Sequence, residues 1–384
     1  MRRIDSNKAR VAAAATLLLA CHPVARADTQ GPPISLAAFS DGIKHWQDRH
    51  GKDYARYQPQ QITGIADNLL LYQRDNGAWI ENRDPARILD AAEKAALVAE
   101  KALASGSFDN RNIYSQIEYL AAAFERTRKP AYRDAASRGL DYALGQQIAG
   151  CGGWPHTLPG TASYHRYITI ADEVTSGMLR LLRKISAGAD PFGYVDAATR
   201  ARAKAALDRG DDCVLKLQVV QGGKLTGWAG QYDPETLQPA QGRAFELPSI
   251  VSQETVEMLR YLMSVQQPSA AQVNAIESAV AWLHRSQISG VRLEKVTLPK
   301  PVQYQYHVAT FDYRLVDDAN APPLWARFYD LDDNSIVLAN RDSVRVKDYS
   351  EIHPERRSGY AWFGTWPAAL LNEEYPAWRA RRPR

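Results

Sequence analysis

The run from Leu69 to Asn82, LLLYQRDNGAWIEN, decides the fold. It reads as a helix end, then a glutamine (Gln73), then a glycine-bearing turn into Trp79. The phrase returns at 141–155 as DYALGQQIAGCGGWP and at 213–228 as CVLKLQVVQGGKLTGW. Trp79 to Trp154 is a step of 75 residues, and Trp154 to Trp228 one of 74. A fourth, degraded copy is expected at 281–290 (AWLHRSQISG), around Trp282. A regular repeat with helical text between copies predicts helical hairpins arranged about an axis. Each copy delivers a glycine turn and an aromatic side chain to the same end of the helices. Two readings of those tryptophans stay open. They close helix-end cores, or they line a cleft of the aromatic and charged kind that a sugar chain needs.

Outward from the repeat, helical periodicity predicts further helices at 88–103, 114–126, 132–144, 174–185, 197–218, 252–265 and 270–285. From about Leu293 the text changes to extended or irregular character, as in VTLPKPVQYQYHVATFDYRLVDD and ARFYDL. The expected fold is mainly α: an α/α toroid of repeated helical hairpins, with a small irregular or β-rich C-terminal portion and long loops over a cleft. No Gly/Ser linker divides the chain.

The first residues read as a leader. A basic start (Arg2, Arg3, Lys8, Arg10), an apolar run from Val11 to Ala20 and the small-x-small Ala25-Arg26-Ala27 predict a signal peptide over 1–27. The apolar run is too short to span a bilayer. Leu18-Leu19-Ala20-Cys21 offers a rival, an imperfect lipoprotein signal with Cys21 lipidated. The expectation is a secreted or periplasmic protein, one domain over 28–384, with no membrane attachment after the leader is removed. Cys151 and Cys213 then remain, free to pair in an oxidising compartment. The formal charge of +4 permits a polyanionic partner. There is no lysine-arginine run of the nucleic-acid type.

Four loop segments near predicted helix ends carry candidate chemistry: Phe108-Asp109-Asn110, Tyr164 to Glu173, Gly242 to Pro248, and Trp325 to Asp330 with Asn340-Arg341-Asp342 and Glu355 to Tyr360. Each has a plain structural explanation. Asp109 and Asp172 precede helices and read as N-caps. Arg243 and Arg327 read as partners of Glu246 or Asp330. His156 and His165 lack a helical partner at metal-ligand spacing.

Taken together these words resemble the family 10 pectate lyases. The match runs through Asn68-Leu69-Leu70 to Gln73, Trp79 and Asn82, then Asp109-Asn110 to Gln116 and Gly152-Gly153-Trp154-Pro155. It continues through Ile168-Thr169 to Asp172, Tyr232-Asp233 to Leu237 and Arg243 to Glu246-Leu247-Pro248. It ends with Arg327-Phe328-Tyr329, Arg341-Asp342 and Glu355-Arg356-Arg357 to Gly359-Tyr360. The resemblance implies calcium-assisted anti β-elimination of α-1,4-polygalacturonate by a monomer. Asp109 and Asp172 would hold Ca2+, Arg243 would be the Brønsted base, and Arg327, Arg341 and Trp154 would bind substrate.

The chain departs from the family pattern in places. Glu81 stands where lysine is usual, and Arg111-Asn112-Ile113 where small residues and threonine are usual. Tyr167 replaces histidine and Ala171 replaces asparagine. Two further readings stay open. One is an α/α-toroid glycoside hydrolase drawing carboxylates from Asp172, Glu173 and Glu246. The other is a binding protein that kept the cleft without turnover.

Overall fold

A computed structural model describes residues 32–382. The expected leader and Cys21 lie outside the described residues. The helices are α1 (Ser40–His50), α2 (Ile62–Tyr72), α3 (Ala91–Glu100), α4 (Tyr114–Thr127), α5 (Pro130–Gly145), α6 (Val174–Ala187), α7 (Ala197–Lys216), α8 (Ser252–Met263), α9 (Ala270–Arg285), α10 (Pro354–Gly359), α11 (Trp366–Ala369) and α12 (Tyr375–Ala380). Strands are short, most of them two residues long, apart from one hairpin of Val291–Gln303 with Val308–Asp317. The fold is thus mainly helical, with a C-terminal portion of hairpin and short strands. Among the described residues no helix is long and apolar enough to cross a membrane.

Local sequence explains where the helices begin and end. Asp90 and Glu93 form a capping box that starts α3, and Ser269 with Gln272 does the same for α9. Pro130 opens α5 at a position where its missing N–H costs nothing. Helices pair as α4 with α5, α6 with α7, and α8 with α9, while α4, α6 and α8 touch in succession.

The repeat glutamine builds the second row. At the end of α2, the Gln73 amide donates to Gly77 O (3.1 Å) and to Ala135 O in α5 (2.9 Å). At the end of α5, Gln147 donates to Gly152 O (2.8 Å) and to Ala206 O in α7 (2.7 Å). After α7, Gln218 donates to Thr226 O (2.7 Å) and to Ala275 O in α9 (2.9 Å). Each amide therefore satisfies its own turn and a carbonyl of the next helix in the row α2, α5, α7, α9.

The tryptophan completes the staple. The indole N–H of Trp79, Trp154 and Trp228 donates to Leu69 O, Ala143 O and Val214 O, at 2.8–2.9 Å. In each case that carbonyl lies four residues before the glutamine. The tryptophan carbonyls accept from Ser107, Thr169 and Val251 N. Two residues before Trp79 and Trp154, Gly77 (φ 93°) and Gly152 (φ 121°) take left-handed backbone. A Cβ would lie 2.4 Å from Arg138 O at the first and 2.5 Å from Arg209 O at the second. Glycine is needed there both for φ and for the close approach.

The fourth copy differs from the sequence expectation. Trp282 lies inside α9, and its indole donates to Asn334 Oδ1. The tryptophan equivalent to the other three is Trp325, which donates to Leu283 O at 2.8 Å, four residues before Gln287. The long hairpin is inserted between Gln287 and Trp325 and hides the match. Trp79, Trp154, Trp228, Trp282, Trp325 and Trp362 are all fully buried and form the centre of the core. Cys151 and Cys213 are disulfide-bonded, with Cα atoms 5.0 Å apart, tying the second repeat turn to α7.

Candidate active site

The strands that follow each tryptophan bring the candidate loops to one end of the row α4, α6, α8. Gly106–Ser107 pairs with Thr157–Leu158, which sets Asp109 beside His156. Ile168–Thr169 pairs with Gln231–Tyr232, and Ile170 and Ala171 N both donate to Gly230 O, which places Asp172 against the third repeat. Ile250–Val251 pairs with Phe328–Tyr329, and Ser252 N donates to Arg327 O at the start of α8. Helix N-termini thus gather at this end, where their unpaired N–H groups favour negative charge.

Asp109 and Asp172 are not caps. The residue at the cap of α4 is Ile113 and that of α6 is Glu173, and neither helix has a side-chain cap. Backbone in unusual conformations instead sets Asp109 against His156 in the cleft wall and offers Asp172 to the cleft. Asn110 (φ 50°), Arg111 (φ 63°) and Ile113 (φ 71°) follow the first, and Asp172 (φ 53°) and Glu173 (φ 58°) form the second. Non-glycine residues at such angles cost about 1–3 kcal/mol each and persist only where neighbours hold them. Asn112 provides that hold on one side, donating to Trp79 O (3.0 Å) and Ser107 O (2.6 Å). Across the two loops, the Arg111 guanidinium pairs with Glu173 at 2.7 Å, and Glu173 also takes Arg180 at 2.8 Å. Arg111, a departure from the family pattern, also reaches Asp41 at 3.3 Å.

The two aspartates differ electrically. Burial would raise Asp109, but the His156 ring 3.4 Å away and the Arg243 charge outweigh it and hold the carboxyl below its usual range. Asp172 accepts no hydrogen bond from any described residue. Burial and the neighbouring Asp109 charge push it up to about 6, against the pull of Arg243 and Arg327. His156 is raised: burial disfavours its charge, but Asp109 more than offsets that. It stacks on His165 with centroids 5.2 Å apart.

Arg243 lines the same cleft and is about half exposed to it (48 %). Its partner is Glu246, as the sequence allowed: Nε and backbone N donate to Oε2 at 3.0 and 2.9 Å, and Nη2 lies 2.9 Å from Oε1. Tyr360 O–H donates to the same carboxylate at 2.7 Å. Burial opposes the Arg243 charge, but Glu246, Tyr360 and Asp172 raise its pKa further above the ordinary arginine value. Arg327 is buried over the Tyr360 ring, 4.8 Å from its centroid. Its ion-pair partner is Glu254 at 3.0 Å, not Asp330, which binds Arg345. Burial pushes Glu254 up to about 7 even with Arg327 beside it. The Arg327 Nε is buried and has no hydrogen-bond partner.

The remaining sequence candidates divide. Trp154 is 0 % exposed, with its indole committed to Ala143 O, so it has no face to offer a sugar; it takes the core reading. Arg341 sits outside the group formed by Asp109, Asp172, Arg243 and Arg327. It holds Glu355 through two bonds of 3.1 Å and lies over Phe245 at 5.3 Å. Glu173 is turned to Arg111 and Arg180, away from catalytic use. Glu254 had no place among the sequence candidates, His156 entered only as a residue without metal-ligand spacing, and Tyr164 only as the start of a candidate loop; all three line the cleft. Glu254 stands in the first turn of α8, where an acidic residue is ordinary. His156 carried a signal only in retrospect, because His156 and Arg327 each stand two residues after a repeat tryptophan.

The residues present fit a hard divalent cation. The Asp109 charge raises the cost of ionising Asp172 beside it, and Asp172 accepts no hydrogen bond from any described residue. Among the described residues no group of three or more His, Cys, Asp or Glu side chains is arranged to hold a metal alone. A cation at Asp109 and Asp172 would therefore need ligands from substrate and water.

Comparison with known proteins gives the chain its family. The model of the pectic acid lyase family matches residues 73–371. Two structures of family 10 polysaccharide lyase from Cellvibrio cellulosa are similar, each with a TM-score of 0.67. One, a mutant in complex with trigalacturonic acid, is 24 % identical over 90 % of this chain and 99 % of its own. The other is 25 % identical over 90 % of this chain and 98 % of its own. No curated protein sequence matches significantly. A family match across most of the chain, on a fold shared with these two lyases, leads to one conclusion: the chain belongs to the pectic acid lyase family and is a polysaccharide lyase.

Proposed function

We propose that the protein cleaves α-1,4-polygalacturonate by anti β-elimination, with Arg243 as the base and Ca2+ at Asp109 and Asp172. The observation that carries the reading is the convergence of Asp172, Arg243 and Arg327 on one cleft, with Asp109 against its His156 wall and near enough for its charge to raise Asp172. When bound, calcium would withdraw charge from the substrate carboxylate and make the adjacent C5 proton more acidic. Arg327, with its unpartnered Nε, orients that carboxylate and shares its charge. Arg243 then takes the C5 proton. The electron pair forms the C4–C5 double bond, the C4–O bond breaks, and the leaving oxygen is protonated. Products are unsaturated oligogalacturonates.

The difficult step is loss of a proton from Arg243 before it acts, because arginine stays charged at ordinary pH. Glu246 and Asp172 hold that proton on. Engaging Asp172 with a cation removes one of those charges, and alkaline pH supplies the rest of the drive. The same reading takes residues 28–384 as one catalytic domain, exported behind the leader and monomeric. Its helix rows are read as an α/α toroid.

The test is ultraviolet absorbance of polygalacturonate with the purified protein at alkaline pH, with calcium and then with chelator. Rising absorbance that chelator abolishes supports the reading. New reducing ends without absorbance would sink it.

A further inference from the structure

We propose that Tyr306, at the tip of the long hairpin, is a sugar-stacking platform that extends the cleft past Arg243. It would take a uronate unit of an acidic polysaccharide, with Arg341 beside it for the carboxylate. The proposal rests on the substrate class just given and adds a subsite to it.

An exposed tyrosine on a surface is ordinary. This one is distinguished by how firmly it is held and by what lies next to it. The hairpin is a two-stranded sheet with no third strand, a form that is marginal without outside support. Its tip is fastened to the segment around α10. His307 Nε2 meets Ser358 Oγ at 3.0 Å, and the Tyr304 ring packs edge-on against His353 at 6.0 Å. Lower down, Arg357 Nε donates to Asp312 at 2.9 Å. Tyr306 itself is left 63 % exposed. A large apolar ring kept in water on an anchored turn has lost its freedom without gaining burial, which suits a preformed contact surface.

The neighbours give the surface its chemistry and its direction. The Arg341 guanidinium lies over the Tyr306 ring at 4.4 Å and over Phe245 at 5.3 Å. Arg243 in turn lies 5.8 Å from Phe245. Tyr306 is therefore linked to the base by a short chain of contacts. Glu355 takes the Nε and Nη2 edge of Arg341 through two bonds, which holds the guanidinium in place and leaves Nη1 without a partner among the described residues. With Arg341 on one side, the other face of the ring is available to the C–H face of a pyranose. A ring beside a fixed guanidinium matches a uronate, which is flat and apolar on one side and anionic at its edge.

The experiment measures binding by calorimetry on Arg243→Ala protein, with and without Tyr306→Ala, using polygalacturonate and trigalacturonate. We expect Tyr306→Ala to weaken polymer binding about threefold to tenfold, the worth of one aromatic contact, and to leave the trimer within about twofold. Tyr306→Phe should restore polymer binding. In protein with Arg243 intact, KM for the polymer should rise while kcat holds. Equal loss for trimer and polymer, or no loss for either, overturns the proposal. If the Arg243→Ala parent binds neither ligand, the substrate class itself is wrong and the subsite falls with it.

Discussion

At the scale of single residues, Arg243 and Asp172 give opposite kinds of evidence. Arg243 is held protonated by Glu246, so the proposed role as a base would show in the pH profile. Arg243→Ala is expected to lower kcat by about 10²–10⁴-fold with binding largely kept, as for a missing general base. Glu246→Gln should lower the Arg243 pKa and move the alkaline rise of the rate to lower pH. An unmoved profile would remove Arg243 from the role. Asp172 has its pKa raised to about 6, so its proton stays on to a higher pH than in the unfolded chain. Calcium binding needs the carboxylate. It should be full above that pH and fall as pH drops through about 6, as calorimetric titration between pH 5 and 8 would report. The linkage also runs through folding. A raised carboxyl costs stability once it ionises, so Asp172→Asn should melt higher than the parent at pH 8 in chelator, with the gain shrinking towards pH 4.

At the scale of elements, the loops that carry the two aspartates are joined by the Arg111–Glu173 pair, one residue beyond Asp172 and two beyond Asp109. That pair is a direct tie between the two loops. A double-mutant cycle with Arg111→Met and Glu173→Gln should show coupling of about 1 kcal/mol in stability, and a shared loss of calcium affinity. Additive effects on calcium would mean the loops are held some other way. The tryptophan staples make a different prediction. Trp154→Ala and Trp325→Ala should each destabilise by about 3–5 kcal/mol in denaturant unfolding, because both leave a large cavity and an orphaned carbonyl. Equal costs would support their equivalence. Much of this was legible. The predicted helices after residue 88 are all present, because amphipathic spacing and caps are local signals. Trp325 was hidden, because a hairpin of nonlocal purpose separates it from Gln287 while Trp282 offers a nearer decoy. The partners of Arg327 and Asp109 were hidden too, since Glu254 and His156 meet them only through strand pairing between distant repeats.

At the scale of the whole molecule, the disulfide closes a loop with a sequence separation of 62, between the second repeat turn and α7. Loop-closure entropy puts its worth at about 4 kcal/mol. Reduction, or Cys151→Ser with Cys213→Ser, should lower the melting temperature by several degrees while the folded protein keeps its turnover. Loss of activity in protein that remains folded would mean that the bond shapes the cleft as well. The charged residues come from every part of this frame: Asp109 follows the first repeat, Asp172 the second, Arg243 the third, and Arg327 belongs to the fourth. The slot two residues after each stapled tryptophan holds Glu81, His156, Gly230 and Arg327 in turn. One socket has thus been copied four times and filled with an acid, an imidazole, nothing and a guanidinium. Because the staple never uses that side chain, its occupant can be exchanged without retooling the frame, and the cleft can be rewritten one letter at a time.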